Sequence, residues 1–412
     1  MRGNSGRTDP STPPPLANPR LVLSVMTPNS PTLVVIAYNR PHSLRRLLHS
    51  LLQAHYPAGN VRLVISLDQA DTREPLQLAE AFDWPFGDKR VIAHPQRLGL
   101  RQHVLSCGDL SEEYGDLLVL EDDLFVSPFF YQYASRALGY YAEDPAIAGI
   151  SLYSLQFNQT ANLPFTPLDN GDADVYFLQL AASWGQAWSR RHWLGFRRWL
   201  EEHGSDIGDI DGIPADIRGW PESSWLKLYD AYVISQGLYF VYPYRSLSTN
   251  FGDPGQHFHI ASSRFQVALQ QQPIDYRFAR PDDSLARYDA FCELAPASLQ
   301  RRNPKLAGLQ FSVNLYGCKD CRQGLQLTRS RAKGLYNFSL SMKPMELSVL
   351  HDVEGEGIAL LDSAQLAGSS RARGRSEYDV YRFFYKFPSL RIIFFAFLER
   401  LQLLLASARR QP

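Results

Sequence analysis

Between residues 31 and 125, short apolar runs rich in β-branched side chains alternate with segments of helical periodicity. That alternation restricts the fold more than any other feature of the chain. Thr32–Ala37 reads as a buried strand. Leu44, Leu47, Leu48, Leu51 and Leu52 then fall on one helical face, with Pro41 suited to the first turn. Val61–Leu67 reads as a second strand ending at Asp68, 73–82 as a helix, Arg90–Ala93 as a third strand and Leu98–Leu110 as a helix. Asp116–Leu120 is a fourth strand and runs into Glu121-Asp122-Asp123. Strands alternating with helices imply a parallel sheet with right-handed crossovers. Such sheets bind ligands at the carboxyl ends of their strands. Asn39, Asp68, His94 and Asp122 lie just past strand ends and are expected to converge on one crevice.

From 126 to 275 the pattern continues. Helices are predicted over Pro128–Tyr141, Arg190–Glu201 and Ser223–Gln236, and strands over Ala146–Leu152, Val175–Leu180 and Leu238–Tyr242. Residues 203–220, rich in Gly, Asp and Pro, read as a loop, and long loops in compact domains are usually functional or disordered. The expected organisation is a disordered tail at 1–30, an α/β domain at 31–275, a smaller β-containing accessory region at 276–380 and an amphipathic helical tail at 381–412. Within the accessory region Tyr336–Met342, Met345–Leu350 and Gly357–Leu361 read as short strands.

Composition narrows the function. Lys+Arg and Asp+Glu both number 42, a balance that argues against a nucleic-acid binder. Four scattered cysteines do not make a disulfide framework, so a reducing compartment fits. Cys318-Lys319-Asp320-Cys321 is an isolated CxxC pair, with only Cys292 and distant histidines as further metal donors. The N-terminus has no apolar stretch long enough for a signal peptide. Tryptophan and tyrosine are plentiful; they serve either a core or a surface that stacks on sugars.

Glu121-Asp122-Asp123 carries the chemistry. Three adjacent carboxylates after a buried strand repel one another unless a cation neutralises them. Their hard oxygens suit Mg²⁺ or Mn²⁺, which in turn bind diphosphate oxygens. A cap for the next helix would not need such a cluster. Arg101 lies near a strand end, where its fork could pair with phosphate oxygens; the alternative is a solvated helix-end residue.

Leu117-Leu118-Val119-Leu120-Glu121-Asp122-Asp123-Leu124, followed by Ser127-Pro128-Phe129-Phe130-Tyr131, resembles the metal-binding segment of GT-A glycosyltransferases, closest to the family 2-like and N-acetylglucosaminyltransferase I-like members. Val35-Ile36-Ala37-Tyr38-Asn39-Arg40-Pro41 resembles their first strand and nucleotide-binding turn, and Val64-Ile65-Ser66-Leu67-Asp68 the second. Gln96-Arg97-Leu98-Gly99 resembles the Asn-x-Gly loop, with Arg97 as a departure. Ala182-Ser183-Trp184-Gly185-Gln186-Ala187-Trp188 resembles the segment that opens the sugar and acceptor pocket. The resemblance covers 31–260. It implies a GT-A (Rossmann-like), mostly parallel sheet flanked by helices. It also implies Asp123 as ligand to Mn²⁺ or Mg²⁺, and Ala37, Tyr38, Asn39, Arg40, Asp68, Glu121 and Asp122 around the nucleotide sugar. Trp184 and Gly185 would line the sugar pocket. Tyr242–His257 resembles the closing loop, which implies His257 as a second metal or diphosphate contact; His259, at i+2, would point the other way.

The chain departs from the family where a general base is expected. Trp220-Pro221-Glu222-Ser223-Ser224-Trp225 fits the family's pattern, but Leu226-Lys227 stand where acids should follow. Asp230 and Glu222 lie about one helical turn to either side, and Asp230 is preferred because it shares a helix face with Leu226. The implied activity is transfer of a sugar from a nucleoside diphosphate sugar, with a UDP-sugar expected, to a glycan, lipid-linked or other hydroxyl acceptor with inversion. The alternative is a catalytically silent GT-A domain that binds sugars or serves assembly. The apolar but charge-interrupted 381–412 tail is expected to lie in the membrane interface, on the inner face of a cytoplasmic membrane, or else to pack on the domain or a second subunit.

Overall fold

A computed structural model of the chain describes residues 30–169, 171–253, 263–320, 323–366, 379–386 and 389–408. Residues 1–29 of the tail expected over 1–30, His257, His259 and Cys321 lie outside them.

The first half follows the alternation in the sequence. Strands β1 (Thr32–Ala37), β2 (Leu63–Leu67), β3 (Lys89–Ala93) and β4 (Leu117–Glu121) alternate with helices α1 (Pro41–Leu52), α2 (Glu74–Ala81), α3 (Leu100–Asp109) and α4 (Ser111–Tyr114). The strands are parallel, in the spatial order β4-β1-β2-β3. Every residue of β1 and β2 is buried, because helices cover both faces of a parallel sheet. Leu44, Leu47, Leu48 and Leu51 of α1 form the buried face read from their spacing, whereas Leu52, read on the same face, is exposed.

The chain then adds β5 (Leu124–Val126), α5 (Phe130–Tyr140), β6 (Ile147–Ser151), the small hairpin β7 (Phe157–Asn158) and β8 (Leu163–Pro164), and β9 (Val175–Leu178). There follow β10 (Gln186–Trp188), α6 (Arg190–His203), α7 (Ala215–Arg218), α8 (Trp225–Ser235), β11 (Tyr239–Pro243), β12 (Ser248–Asn250) and β13 (Arg287–Tyr288). The main sheet has nine strands in the order β13-β9-β11-β6-β10-β4-β1-β2-β3. Strand β10 had no sequence signal, being only Gln-Ala-Trp, yet it sits near the middle of the sheet. It runs antiparallel to both β4 and β6 and joins the parallel half to the mixed half. Trp188 is accordingly a core residue: it is fully buried, with ring centroids 4.6 Å from Trp193 and 5.7 Å from Tyr229.

Beyond 275 the chain first completes this sheet, since β13 pairs with β9. After α9 (Pro296–Gln300), it builds a second sheet from β14 (Phe311–Asn314), β15 (Leu325–Ser330), β16 (Tyr336–Ser339) and β17 (Gly357–Asp362), in the order β14-β15-β17-β16. The strand predicted over Met345–Leu350 is instead helix α10 (Glu346–Leu350). Met345 and Val349, at i and i+4, are its buried apolar residues, and a run this short does not distinguish the two periods. Val313, Leu327, Ile358 and Leu360 of the second sheet share one apolar cluster with Val34, Val119 and Trp188 of the first.

A C-terminal helix, Leu390–Ala408, follows a helical turn at 379–384. Leu390, Ile392, Ile393, Phe394, Phe395, Phe397 and Leu401 are all exposed, so its apolar surface runs around the helix rather than along one stripe. Among the described residues, no helix is long and apolar enough to cross a membrane.

Two glutamates are fully buried where the second sheet meets the first. Glu293 accepts a hydrogen bond from the Tyr316 amide at 2.6 Å. Its Oε2, and Oε2 of Glu346, find no partner. Burial pushes Glu346 up to about 7, and pushes Glu293 up to about 8 against the pull of Lys319. The folded protein therefore keeps protons that an unfolded chain releases near pH 4.3. This contribution to stability is complete below that value and is lost as pH rises through 7 and 8. Thermal unfolding between pH 5 and 8 should show wild-type stability falling as pH rises, and a shallower fall in Glu346→Gln, which cannot ionise. Equal slopes would mean that Glu346 does not hold a proton in the fold.

Candidate active site

The turn joining β4 to β5 carries the acid cluster, and the end of β1 faces it because Ile36 pairs with Glu121 across the parallel ladder. Asp122 is 3% exposed and accepts hydrogen bonds from the Tyr38 amide and the Arg40 guanidinium. Arg40 Nη1 also donates to Asp123 Oδ2 at 3.1 Å. Pro41 explains this reach. A residue before proline is held out of the α region, and Arg40, at φ −122° and ψ 74°, sits outside it at the head of α1. The other oxygen of Asp123, Oδ1, is buried and has no hydrogen-bond partner. Glu121 is bonded by the Trp225 side chain, from the first turn of α8. Burial raises the pKa of Glu121, with Asp123 adding to it. Burial also raises Asp122, against the pull of Arg40. Burial lowers the pKa of Arg40, but Asp122 and Asp123 outweigh it and hold the guanidinium above its ordinary value.

A second layer holds the turn from outside. Strand β12 pairs antiparallel with β5, and the Phe251 amide donates to the Asp123 carbonyl at 3.0 Å. Asp253 is pinned by Ser43 at 2.7 Å and by Arg46, both on α1, and Arg46 also lies 3.8 Å over the Phe251 ring. Ser43, Arg46 and Asp253 were not singled out from the sequence, because they come from two separate segments, and Trp225 was read only as part of the Trp220–Trp225 pattern. His257, just past this loop, lies outside the described residues.

The other expected nucleotide contacts divide between site and scaffold. Asp68 accepts from the amides of Leu98 at 2.7 Å, Gly99 at 2.9 Å and Gln69 at 2.9 Å, so its carboxylate fastens β2 to the start of α3. Gly99, at φ 77°, suits that bend. Ala37 is a strand residue whose carbonyl accepts from the Asp68 amide. Asn39 donates to Asp71 at 3.0 Å, and Arg97 lies 4.9 Å over the Tyr38 ring. His94 and His103 both meet the Ser66 hydroxyl, and burial lowers the pKa of His103 to about 4. Arg101 Nε and Nη2 are buried without a hydrogen bond, with Nη2 3.6 Å from Glu222.

The two acids expected near the missing base are placed differently. Glu222 borders a cleft of about 360 Å³ together with Ser205, Asp206, Arg218 and Lys227. Its carboxylate is held by Lys227 Nζ at 2.6 Å, which also donates to the Trp220 carbonyl at 3.0 Å. The Lys227 hydrogen bond and charge lower the pKa of Glu222. Asp230, by contrast, is 1% exposed and accepts from the Ala181 amide at 2.7 Å. Burial raises its pKa well above the carboxylate range. The preference for Asp230 over Glu222 is therefore reversed on grounds of access: Asp230 fastens the segment leading to Trp184. Trp184 is half-buried, 4.7 Å from both Tyr153 and Phe265. Gly185 has φ 92°, and a Cβ there would meet Leu152 at 3.0 Å and Ser248 at 3.2 Å, so both the backbone conformation and the packing favour glycine. Of the cysteines, Cys107 and Cys292 are buried, and burial pushes Cys318 up to about 11, which leaves it a thiol.

Among the described residues, no three His, Cys, Asp or Glu side chains gather to enclose a metal unaided. The donor set still fits Mg²⁺ or Mn²⁺, which bind through one or two carboxylates and complete their shell with phosphate oxygens and water. The unpartnered Asp123 Oδ1 is such a donor.

A family model, glycosyl transferase family 2, matches residues 32–112, from β1 into the start of α4. The resemblance drawn from the sequence holds there, and the α/β sheet with its separate smaller sheet is the fold class it implied. Solved structures similar to the chain include a mannosyltransferase, PcManGT from Pyrobaculum calidifontis, in complex with GDP-Man and Mn²⁺. It is 14% identical over 52% of this chain and 56% of that one, with a TM-score of 0.34. GalNAc-T7 with UDP, GalNAc and Mn²⁺ is 16% identical over 52% of this chain and 42% of that one, TM-score 0.37. S. aureus TarS 1–349 in complex with UDP-GlcNAc is 12% identical over 55% and 60%, TM-score 0.36. The chain thus spans about half the length of the solved structures it matches. No curated protein matches it.

The Asp230 arrangement has a direct consequence. Asp230→Asn keeps the oxygen that Ala181 needs and should leave unfolding by denaturant nearly unchanged. Asp230→Ala orphans a buried amide and should cost about 1–3 kcal/mol. A large loss of stability in the Asn variant would contradict the positioning role.

Proposed function

We propose that the chain is a metal-dependent glycosyltransferase that moves a sugar from a nucleoside diphosphate sugar, a UDP-sugar, to a hydroxyl acceptor on a glycan or a lipid-linked chain. One observation carries the reading. At the carboxyl end of β4, beside the turn after β1, Asp123 keeps one buried oxygen without a partner while its neighbours are fully engaged. The family match over 32–112 supports it, since that segment supplies the β1 turn facing the acids. A bound Mn²⁺ or Mg²⁺ would neutralise charge on the departing diphosphate. The chain's own residues have separate tasks. Tyr38, Asn39 and Arg40 border the nucleotide, with Asp68 holding the loop beside it. Arg101, ion-paired with Glu222 but with Nε and Nη2 making no hydrogen bond, offers donors to phosphate or sugar oxygens. Trp184 walls the sugar pocket. Glu222, at the cleft, is the acid with access to an acceptor hydroxyl.

A second reading is a silent sugar-binding or assembly module. It is favoured by Lys227, which occupies the family's base region and neutralises Glu222. Titration calorimetry with Mn²⁺ and UDP, run beside a nucleotide-release assay over several donors, separates the two. Asp123→Asn should abolish metal-dependent UDP binding without unfolding the chain. Glu222→Gln should lower turnover by about 10²–10⁴ with UDP affinity kept. UDP binding that is indifferent to Asp123→Asn would remove the metal reading, and binding without turnover for any donor would favour the module.

The same proposal gives the C-terminal helix a place. Its apolar side chains are exposed on all sides through Leu401, and Arg391 and Arg400 flank them, which suits peripheral contact with an anionic inner membrane face. Deleting 381–412 should release the protein from liposomes containing anionic lipid in a flotation assay. Undiminished flotation would place the contact elsewhere.

A further inference from the structure

Arg40 is the cation that the acid cluster already has. Asp122 and Asp123 are adjacent and largely buried, and two carboxylates so placed do not both stay ionised without a positive partner. The Arg40 fork bonds one oxygen of each. A guanidinium remains charged where a lysine would be free to neutralise, so this counter-ion is permanent. Arg46 also reaches this turn, donating to the Asp123 carbonyl at 3.5 Å, but its charge is paired with Asp253. Pro41 restrains the Arg40 backbone, and the two carboxylates hold its guanidinium.

We propose that Arg40 acts as a resident counter-ion that makes metal binding at Asp123 depend on the donor's diphosphate. The inference rests on Asp123 being the metal ligand. A divalent ion arriving alone at Asp123 Oδ1 meets a fixed guanidinium bonded to the same carboxylate, and like charges in a buried site oppose each other strongly. A diphosphate removes the conflict. Its oxygens ligate the metal and also accept the Arg40 fork, which can leave the carboxylates for phosphate. Metal and nucleotide then bind with positive coupling, and each raises the affinity of the other by the same factor. Free metal leaves the site unfilled until a donor arrives. Arg40 is thus a positioning residue that sets the order of assembly.

Mn²⁺ binding to the full chain, followed by the electron paramagnetic resonance signal of the free ion, tests this. Wild type, Arg40→Gln, Arg40→Lys, Asp122→Asn and Asp123→Asn are each titrated with and without saturating UDP, and thermal unfolding checks that each is folded. Wild type should bind Mn²⁺ weakly alone and about tenfold or more tightly with UDP, within the usual span of coupling between sites. Arg40→Gln should bind Mn²⁺ alone about tenfold more tightly than wild type, with most of the UDP effect gone. Arg40→Lys, which keeps the charge, should keep the coupling. Asp122→Asn leaves Arg40 in excess and should weaken Mn²⁺ binding further in the absence of UDP, which tests the idea even if Arg40→Gln fails to fold. If wild type shows UDP-linked Mn²⁺ binding that Asp123→Asn loses, but Arg40→Gln binds Mn²⁺ no more tightly than wild type, this inference falls and the metal reading stands. If neither wild type nor Arg40→Gln binds Mn²⁺ under any condition, both fall.

Discussion

The charge balance at the end of β4 organises the region around it. Carboxylates there are forced into a buried turn by a strand that must be apolar to fill the sheet, and a guanidinium from the start of α1 makes that burial tolerable. Once Arg40 is committed to the acids, the β1 turn is fixed, because the Tyr38 amide completes the Asp122 shell. Helix α1 then brings Ser43 and Arg46 to Asp253, so the loop after β12 closes over the same turn. Breaking one partner of such a buried pair costs more than the pair itself contributes, because the other charge is left uncompensated.

Buried acids recur in this chain with a different use. Asp68 and Asp230 spend their oxygens on backbone amides of loops that border the site. A carboxylate that accepts amide hydrogens is an effective fastener, since it satisfies donors that a loop cannot pair within itself. Both were read from the sequence as site residues, and in the fold both carboxylates accept backbone amides. Glu222, which is exposed, keeps access to the cleft.

The C-terminal region is joined to the first sheet through one apolar cluster, and β13 supplies an edge strand from beyond residue 275. The accessory sheet therefore covers apolar surface that the first sheet would otherwise expose. The glutamates buried at this junction tie its stability to pH, whereas the acid turn lies at the carboxyl end of the parallel strand β4.

Local periodicity determined much of what is seen. The four parallel strands, the buried stripe of α1 and the acid cluster after β4 were legible because each depends on residues close together in the chain, where spacing reports burial. Strand β10 was not legible, since three residues carry no periodic signal and its place between β4 and β6 comes from long-range pairing. Nor could α10 be told from a strand, because Met345–Leu350 is too short to show its period. Tertiary structure alone decided which acids meet solvent. Helix spacing from the missing base favoured Asp230 over Glu222, but packing against the Ala181 segment buries Asp230 while the cleft beside Lys227 exposes Glu222. It alone decided, too, that Arg40 bridges Asp122 and Asp123. Partners more than eighty residues apart are brought together by the β1–β4 pairing, and no short-range pattern encodes that distance.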